Sequence, residues 1–175
     1  MKTKFLKWVG ILAGLAGAPL AHAQDAWIVG QSAPLTGSNA AFGKDIRDGA
    51  LAWFKSVNAR GGVGGKPIEL VTLDDANDRK TAGANTQKLL EQGVLALFGY
   101  YGSPQVTASS PLIKDTDVLL FAPMAAADEF RGANYPNIFS LRPGYAEEAA
   151  AITRHAETLG VRKLGILHGA DSESL

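Results

Sequence analysis

The sequence predicts an α/β fold, a doubly wound and mostly parallel sheet covered by helices. Two observations carry this. Short apolar runs alternate with stretches of helical periodicity from Trp27 to Leu167. Most gaps between successive runs are long enough to hold a crossover helix, which parallel neighbours need and hairpin neighbours do not. Composition agrees. With 46% apolar and 19% charged residues in 175, the chain can bury a core and is not a disordered or collagen-like polymer.

The elements follow in order. Trp27-Ile28-Val29-Gly30, ending in Gln31 and Ser32, is a buried strand. Gly43 to Ala59 places Ile46, Ala50, Trp53 and Val57 on one helical stripe, with Asp45, Arg47 and Lys55 off it. Arg60 to Pro67 is glycine-rich and ends that helix in a turn. Ile68 to Leu73 alternates apolar and polar residues, as a strand near the sheet edge does. Asp74 to Asp78 is a polar loop, and Lys80 to Glu91 a helix with Ala82, Leu89 and Leu90 inward. Val94 to Tyr100 is the third strand. Pro104 to Asp115 is the next helix, in which Pro104 suits the first turn and Pro111 should kink or divide it. Val118 to Ala122 is the fourth strand, a long loop runs through Pro136, and Ile138 to Leu141 is the fifth. Tyr145 to Leu159 is a helix with Ala149, Ile152, Ala156 and Leu159 on one face, and Lys163 to Leu167 a sixth strand. Crossovers between parallel neighbours are right-handed, which puts helices on both faces.

The first 23 residues are set apart. Lys2, Lys4 and Lys7 form a positive leader, Trp8 to Leu20 is an apolar run, and Ala21-His22-Ala23 is a small-x-small cleavage pattern. The run is too short for a transmembrane helix, which takes about 20 residues. A signal peptide cleaved after Ala23 is expected, with the mature chain exported to a periplasm. Cleavage takes three lysines from a balance of 17 basic and 17 acidic residues and leaves the remainder mildly acidic. The lack of cysteine excludes a disulfide scaffold, a thiolate zinc site and a lipid-anchored terminal Cys. With no basic cluster in the body, nucleic acid is not expected as a partner.

In an open parallel sheet the ligand lies beyond the carboxyl ends of the strands. That selects the loops 32–43, 74–79, 100–104, 122–128 and 142–145. Gly30-Gln31-Ser32-Ala33-Pro34 is not G-x-G-x-x-G. Gly61 to Lys66 follows a helix instead of a strand and precedes Pro67, where a phosphate loop carries Ser or Thr. No Gly-x-Ser-x-Gly elbow is present, and His155 and His168 lack a metal-spaced partner. Asp74-Asp75 could hold a cation or act in acid–base chemistry, but fits a helix cap or a solvated strand end better. No metal or cofactor is implied. What remains is Tyr100-Tyr101-Gly102-Ser103-Pro104. Gly102 lets the backbone approach a ligand. Ser103 stands where a helix begins, so its hydroxyl and nearby N–H groups can receive a carboxylate; a plain serine cap would look the same.

A string of motifs then suggests a family. It begins with Gly30-Gln31-Ser32-Ala33-Pro34-Leu35-Thr36-Gly37, Ala40-Ala41-Phe42-Gly43 and Asn58-Ala59-Arg60-Gly61-Gly62-Val63-Gly64-Gly65-Lys66-Pro67. It continues through Leu73-Asp74-Asp75-Ala76-Asn77-Asp78, Phe98-Gly99-Tyr100-Tyr101-Gly102-Ser103, Phe121-Ala122-Pro123-Met124-Ala125-Ala126 and Lys163-Leu164-Gly165-Ile166-Leu167. In order and spacing these resemble the type I periplasmic solute-binding proteins, specifically the leucine/isoleucine/valine-binding branch. The resemblance implies two similar α/β lobes closing over a small ligand, often an amino acid, and presenting it to the membrane permease of an ABC importer. By position, Ser103 looks like the serine that binds the ligand's α-carboxylate. Met124, Ala125 and Ala126 look like the next strand loop facing the ligand, Phe42 like an aromatic ring over it, and Tyr101 and Gly102 like neighbours of the anchor. Two residues depart from the pattern: Ala126 replaces a hydroxyl residue, and Asn77 stands where well-known members carry half of a disulfide. Residues 24–141 would then be the first lobe. Residues 142–175 would be the hinge crossing with the first helix and strand of a second lobe cut short, since the family's members are longer.

Three readings follow. The first is the binding component of an ABC importer, a monomeric non-enzyme acting by hinge closure around an amino acid or small carboxylate. The second is a ligand-sensing domain of the same fold in a regulator or receptor. The third is a secreted α/β hydrolase, which would need a nucleophile beside a base.

Overall fold

The computed structural model of the chain describes residues 26–167. The expected leader with its cleavage site, and His168, lie outside them. Five strands form one parallel sheet: β1 (Trp27–Ala33), β2 (Ile68–Asp74), β3 (Ala96–Phe98), β4 (Leu119–Phe121) and β5 (Ile138–Phe139). Their order is β2-β1-β3-β4-β5 and every neighbouring pair is parallel. The chain therefore winds outward to β2, crosses back, and proceeds the other way from β3, which is the doubly wound topology expected. β2 is an edge strand, as its alternation implied. Four helices connect or follow the strands: α1 (Ala40–Ala59), α2 (Arg79–Glu91), α3 (Ser103–Ile113) and α4 (Tyr145–Thr158).

Both faces of the sheet are used. Leu97 and Leu120, paired in register, pack with Leu89 of α2 and Val106 and Ile113 of α3 in the fully buried core. Burying each such side chain stabilises by about 1.5–3 kcal/mol. Phe98 and Phe121 point the other way, and the Phe98 ring meets Phe54 of α1 at 6.3 Å. At the start of β2, the Asn58 side chain accepts from the Ile68 N–H and donates to the Ile68 carbonyl, both at 2.8 Å. It acts as a short strand neighbour and ties the end of α1 to the sheet edge. Gly62 (φ +72) completes that turn, because a Cβ there would lie 2.0 Å from the Lys66 carbonyl oxygen.

Four expectations change. Trp53 is 64% exposed and the inward position belongs to Phe54. Gly43 is buried against the Pro34 carbonyl, so the helix phase runs Gly43, Ile46, Ala50, Phe54, Val57, and Trp53 falls off it. Pro111 neither divides nor ends α3. Its ring removes the N–H that would bond the Thr107 carbonyl, and the Ser110 hydroxyl donates to that carbonyl instead, at 3.3 Å. The strands are shorter than their apolar runs. β3 stops at Gly99 (φ +61) and β4 at Ala122 (φ +54), both left-handed, and β5 runs only from Ile138 to Phe139 at the sheet edge. Finally, Lys163–Leu167 forms no strand. A strand exists through ladder bonds to a neighbour, and among the described residues this segment has none. α4 likewise buries no residue.

Candidate ligand-binding site

The strand ends gather an open cleft of about 650 Å³ at the switch point between β1 and β3. Three aspartates organise the loops after β1 and β2, and of these only Asp78 lines the cleft. Asp74 accepts at 2.8 Å from the Leu35 N–H, at 2.9 Å from the Ala76 N–H and at 2.7 Å from the Thr36 hydroxyl, joining the loops after β1 and β2. Burial would raise its pKa, but these bonds outweigh it and hold the carboxyl below its ordinary range. Asp75 is fully buried and accepts from the Ser32 hydroxyl at 2.8 Å and the Asn77 N–H at 2.9 Å. Burial pushes its pKa up, and the nearby charges of Asp74 and Asp78 act in the same direction. Asp78 caps α2 by accepting from the Thr81 N–H and hydroxyl at 2.8 Å, and those bonds hold its pKa down. The acidic run is thus loop and cap structure. Among the described residues no group of three or more His, Cys, Asp or Glu could hold a metal ion.

The start of α3 forms the centre. Gly102 has φ +94 and leads directly into Ser103, which is buried at 2% exposure. The Ser103 oxygen accepts from the Ala126 N–H at 3.3 Å and the Ala127 N–H at 3.2 Å. Both its lone pairs are engaged, so its O–H is the group left to donate. The Tyr145 hydroxyl lies 3.5 Å away. None of these partners is a histidine or carboxylate that could act as a general base. Gln105 is buried beneath, with its Nε2 donating to the Asn77 carbonyl at 2.8 Å. Its Oε1 has no hydrogen-bond partner and occupies the hollow left by Gly102, where a Cβ would come within 2.2 Å.

The walls are aromatic and polar. Phe42 and Tyr101 stack with centroids 5.4 Å apart and planes 14° from parallel. Phe42 is 56% exposed and Met124 46%. Tyr101 and Met124 are held together by a backbone bridge, with the Gly102 N–H donating to the Met124 carbonyl at 3.1 Å. Across the opening, Arg142 forms a two-pronged ion pair with Glu148 at 2.8 and 3.0 Å and lies over the Tyr145 ring. The hydrogen-bonded Glu148 raises the Arg142 pKa. Arg131 fixes the crossing that carries these residues, donating to the carbonyls of Arg142 at 2.9 Å and Pro143 at 3.2 Å.

All four helices start at this cleft, which Asn39, Phe42, Asp78, Arg79, Ser103 and Tyr145 line. α2 begins behind Asp78, and α4 has Glu147 and Glu148 in its first turn. α1 and α3 have neither a side-chain cap nor an acidic residue in the first turn. Their positive ends are therefore open toward the cleft.

Of the residues singled out in the sequence, the structure brings Phe42, Tyr101, Gly102, Ser103 and Met124 to one cleft. Ala125 and Ala126 do not line it. Their side chains are buried, and the Ala126 N–H is spent on Ser103. Sequence reasoning missed Tyr145, Arg142, Gln105 and Asn77 as cleft residues. The first two sit in the loop 142–145 already selected as a strand-end loop; no local signal marked Gln105.

The class of fold is thus an α/β domain, a doubly wound parallel sheet with an open cleft at its switch point. The chain belongs to the periplasmic binding protein family, whose model matches residues 27–174. It is 37% identical over 112 residues to a Leu/Ile/Val-binding protein homolog 2 of Brucella abortus, covering 64% of this chain and 30% of that one. It is 34% identical over 128 residues to a leucine-, isoleucine-, valine-, threonine- and alanine-binding protein of Pseudomonas aeruginosa, covering 73% and 34%. Among solved structures, a substrate-binding periplasmic protein from Ralstonia solanacearum superposes with a TM-score of 0.77 at 27% identity, over 86% of this chain and 42% of that one. The chain thus spans about a third of the length of the curated relatives it matches.

Proposed function

We propose that the chain supplies the first ligand-binding lobe of a periplasmic solute-binding component of an ABC importer. It takes a small carboxylate-bearing solute, an amino acid or a simple carboxylic acid, and serves as a binder without catalysis. The observation that carries this reading is the uncapped N-terminus of α3 at Ser103, whose oxygen accepts two N–H bonds, so that its O–H, shared at 3.5 Å with the Tyr145 hydroxyl, is the donor a carboxylate would compete for. The similarity to a named amino-acid-binding protein supports the ligand class, and the lysine-led leader supports export to the periplasm. On this reading Gly102 gives access, Phe42, Tyr101 and Met124 form the wall, and the N–H groups of Ala126 and Ala127 hold the Ser103 oxygen. A second lobe would close over the ligand, and the closed form would be delivered to a permease.

The test compares L-leucine, L-valine and acetate with L-leucinol, which keeps the ammonium and side chain but has no carboxylate, by ligand-observed NMR on the 175-residue chain. Carboxylates should bind and leucinol should not. Equal binding of leucine and leucinol would overturn the reading.

A further inference from the structure

We infer that Gln105 is a positioning residue for the cleft. It locks the turn at Ala76 and Asn77 to the start of α3, and it sets the Asn77 amide so that the NH2 end is the one left for a ligand. This rests on the carboxylate reading above and adds a donor to it.

The turn needs holding. Ala76 (φ 49) and Asn77 (φ 64) are consecutive left-handed residues and neither is glycine. Such backbone is unfavourable for a residue with a Cβ and persists only where its surroundings fix it. On its own loop, Asp74 accepts from the Ala76 N–H and Asp75 from the Asn77 N–H, both at 2.9 Å. Among the described residues, the hydrogen bonds from α3 to this turn all come from Gln105. Its Nε2 donates to the Asn77 carbonyl at 2.8 Å and, more weakly, to Asn77 Oδ1 at 3.4 Å. The second of these orients the side chain. A carboxamide has an acceptor end and a donor end. With Oδ1 turned to Gln105, Nδ2 is the free end of a half-buried side chain that lines the cleft.

Gln105 is also poorly placed for stability. It is 2% exposed, and its Oε1 is buried against Gly102 with no hydrogen-bond partner. An unpaired buried acceptor offsets the bond that Nε2 makes, so an apolar side chain of the same length would serve the fold about as well. The buried oxygen cannot meet a ligand itself. What the residue contributes is the tie through Nε2, and it acts on a ligand through Asn77.

The experiment compares wild type, Gln105→Met, Asn77→Ala and the double variant of the 175-residue chain. Ligand-observed NMR with L-leucine and acetate reads binding, urea unfolding reads stability, and nitrogen-15 spectra read the side-chain amides. Gln105→Met keeps the length but removes both the tie and the unpaired oxygen, so its urea midpoint should stay within about 0.5 M of wild type. It should nevertheless weaken both ligands about three- to tenfold, and Asn77→Ala should do the same. The double variant should bind no more weakly than the weaker single one, because both changes remove the same donor. Without ligand, the Asn77 NH2 signals, assigned by their loss in Asn77→Ala, should move in Gln105→Met. If Gln105→Met binds like wild type, if the two losses multiply, or if the NH2 signals stay in place, the assignment falls while the carboxylate reading stands. A midpoint lowered by more than about 1 M would make Gln105 a stability residue and would overturn the assignment too. If wild type binds neither probe, the carboxylate reading falls and takes the ligand role of Asn77 with it.

Discussion

Replacing Gly102 by alanine probes how the cleft is held open. Two costs can be worked from the structure. At φ +94 and ψ 136 a residue with a Cβ is strained, by about 1–3 kcal/mol. The added Cβ would also lie 2.2 Å from Gln105 Oε1, inside any contact distance. Relieving that overlap means moving the Gln105 amide, and its Nε2 is held to the Asn77 carbonyl at 2.8 Å. Loss of that bond adds about 0.5–1.5 kcal/mol. The combined expectation is about 2–4 kcal/mol. Urea unfolding followed by circular dichroism measures it. With a slope of about 1–3 kcal/mol per molar, the midpoint should fall by about 1–2 M. The pair Gly102→Ala/Gln105→Ala separates the two costs. Relative to Gln105→Ala alone, the glycine change should then show only the backbone part, because nothing remains to collide with. A loss below about 0.5 kcal/mol in Gly102→Ala, or no coupling between the two changes, would refute the reasoning.

Further outcomes are expected. Ser103→Ala should orphan the N–H groups of Ala126 and Ala127 and lower stability by about 1–3 kcal/mol, and should weaken carboxylate binding about ten- to a hundredfold; denaturation and titration of the same variant read both. Phe54→Ala should lower stability by about 2 kcal/mol, since Phe54 is half-buried against Phe98, while Trp53→Ala should change it by less than about 0.5 kcal/mol. Asp75 has a raised folded pKa, so the folded state binds its proton more tightly than the unfolded state, and ionising it opposes folding. Wild-type stability relative to Asp75→Asn should therefore be highest at acid pH, fall as pH rises above about 4, and level off above the folded pKa; unfolding curves from pH 3 to 7 would show it, and a difference that rises with pH would contradict it.

The order of elements was legible because apolar periodicity survives in each segment, and the parallel topology followed from the spacing. Element ends were not. β3 and β4 stop where Gly99 and Ala122 turn left-handed, and nothing in Val94–Tyr100 or Val118–Ala122 marks that limit by hydrophobicity. The phase of α1 was ambiguous because Trp53 and Phe54 are adjacent apolar residues. A contact outside the helix, Gly43 on the Pro34 carbonyl, decides between them. The cleft divides in the same way. Gly102 and Ser103 could be read from helix-start chemistry, which is local. Tyr145 stands 42 residues beyond Ser103 and reaches it because its own N–H donates to the Ala126 carbonyl at 2.9 Å and Arg131 clamps the crossing segment at Arg142 and Pro143. Asp74 and Asp75 looked interchangeable in sequence. Placement separates them, since Asp74 meets several donors at a loop junction and Asp75 is sealed behind Ser32.

The helix starts show where stability and binding compete. A side-chain cap is worth about 1 kcal/mol, and α2 has one in Asp78 while α4 has Glu147 closing on the Gly144 N–H at 2.9 Å. α1 and α3 use Asn39 and Gly102 at the cap position without any side-chain bond, so each forgoes that stabilisation. These two helices bring Phe42 and Ser103 to the cleft. A carboxylate of the protein's own at either start would satisfy the N–H groups in the empty state, and a ligand would then have to displace it. On the proposed reading, leaving those two starts without a side-chain cap keeps their partial positive charge for a ligand anion, though the Ala40 N–H already bonds the Gly37 carbonyl and Pro104 has no N–H, whereas the capped starts of α2 and α4 frame the opening. On the proposed reading, that distribution of caps suits a cleft that takes an anion between Phe42 and Ser103.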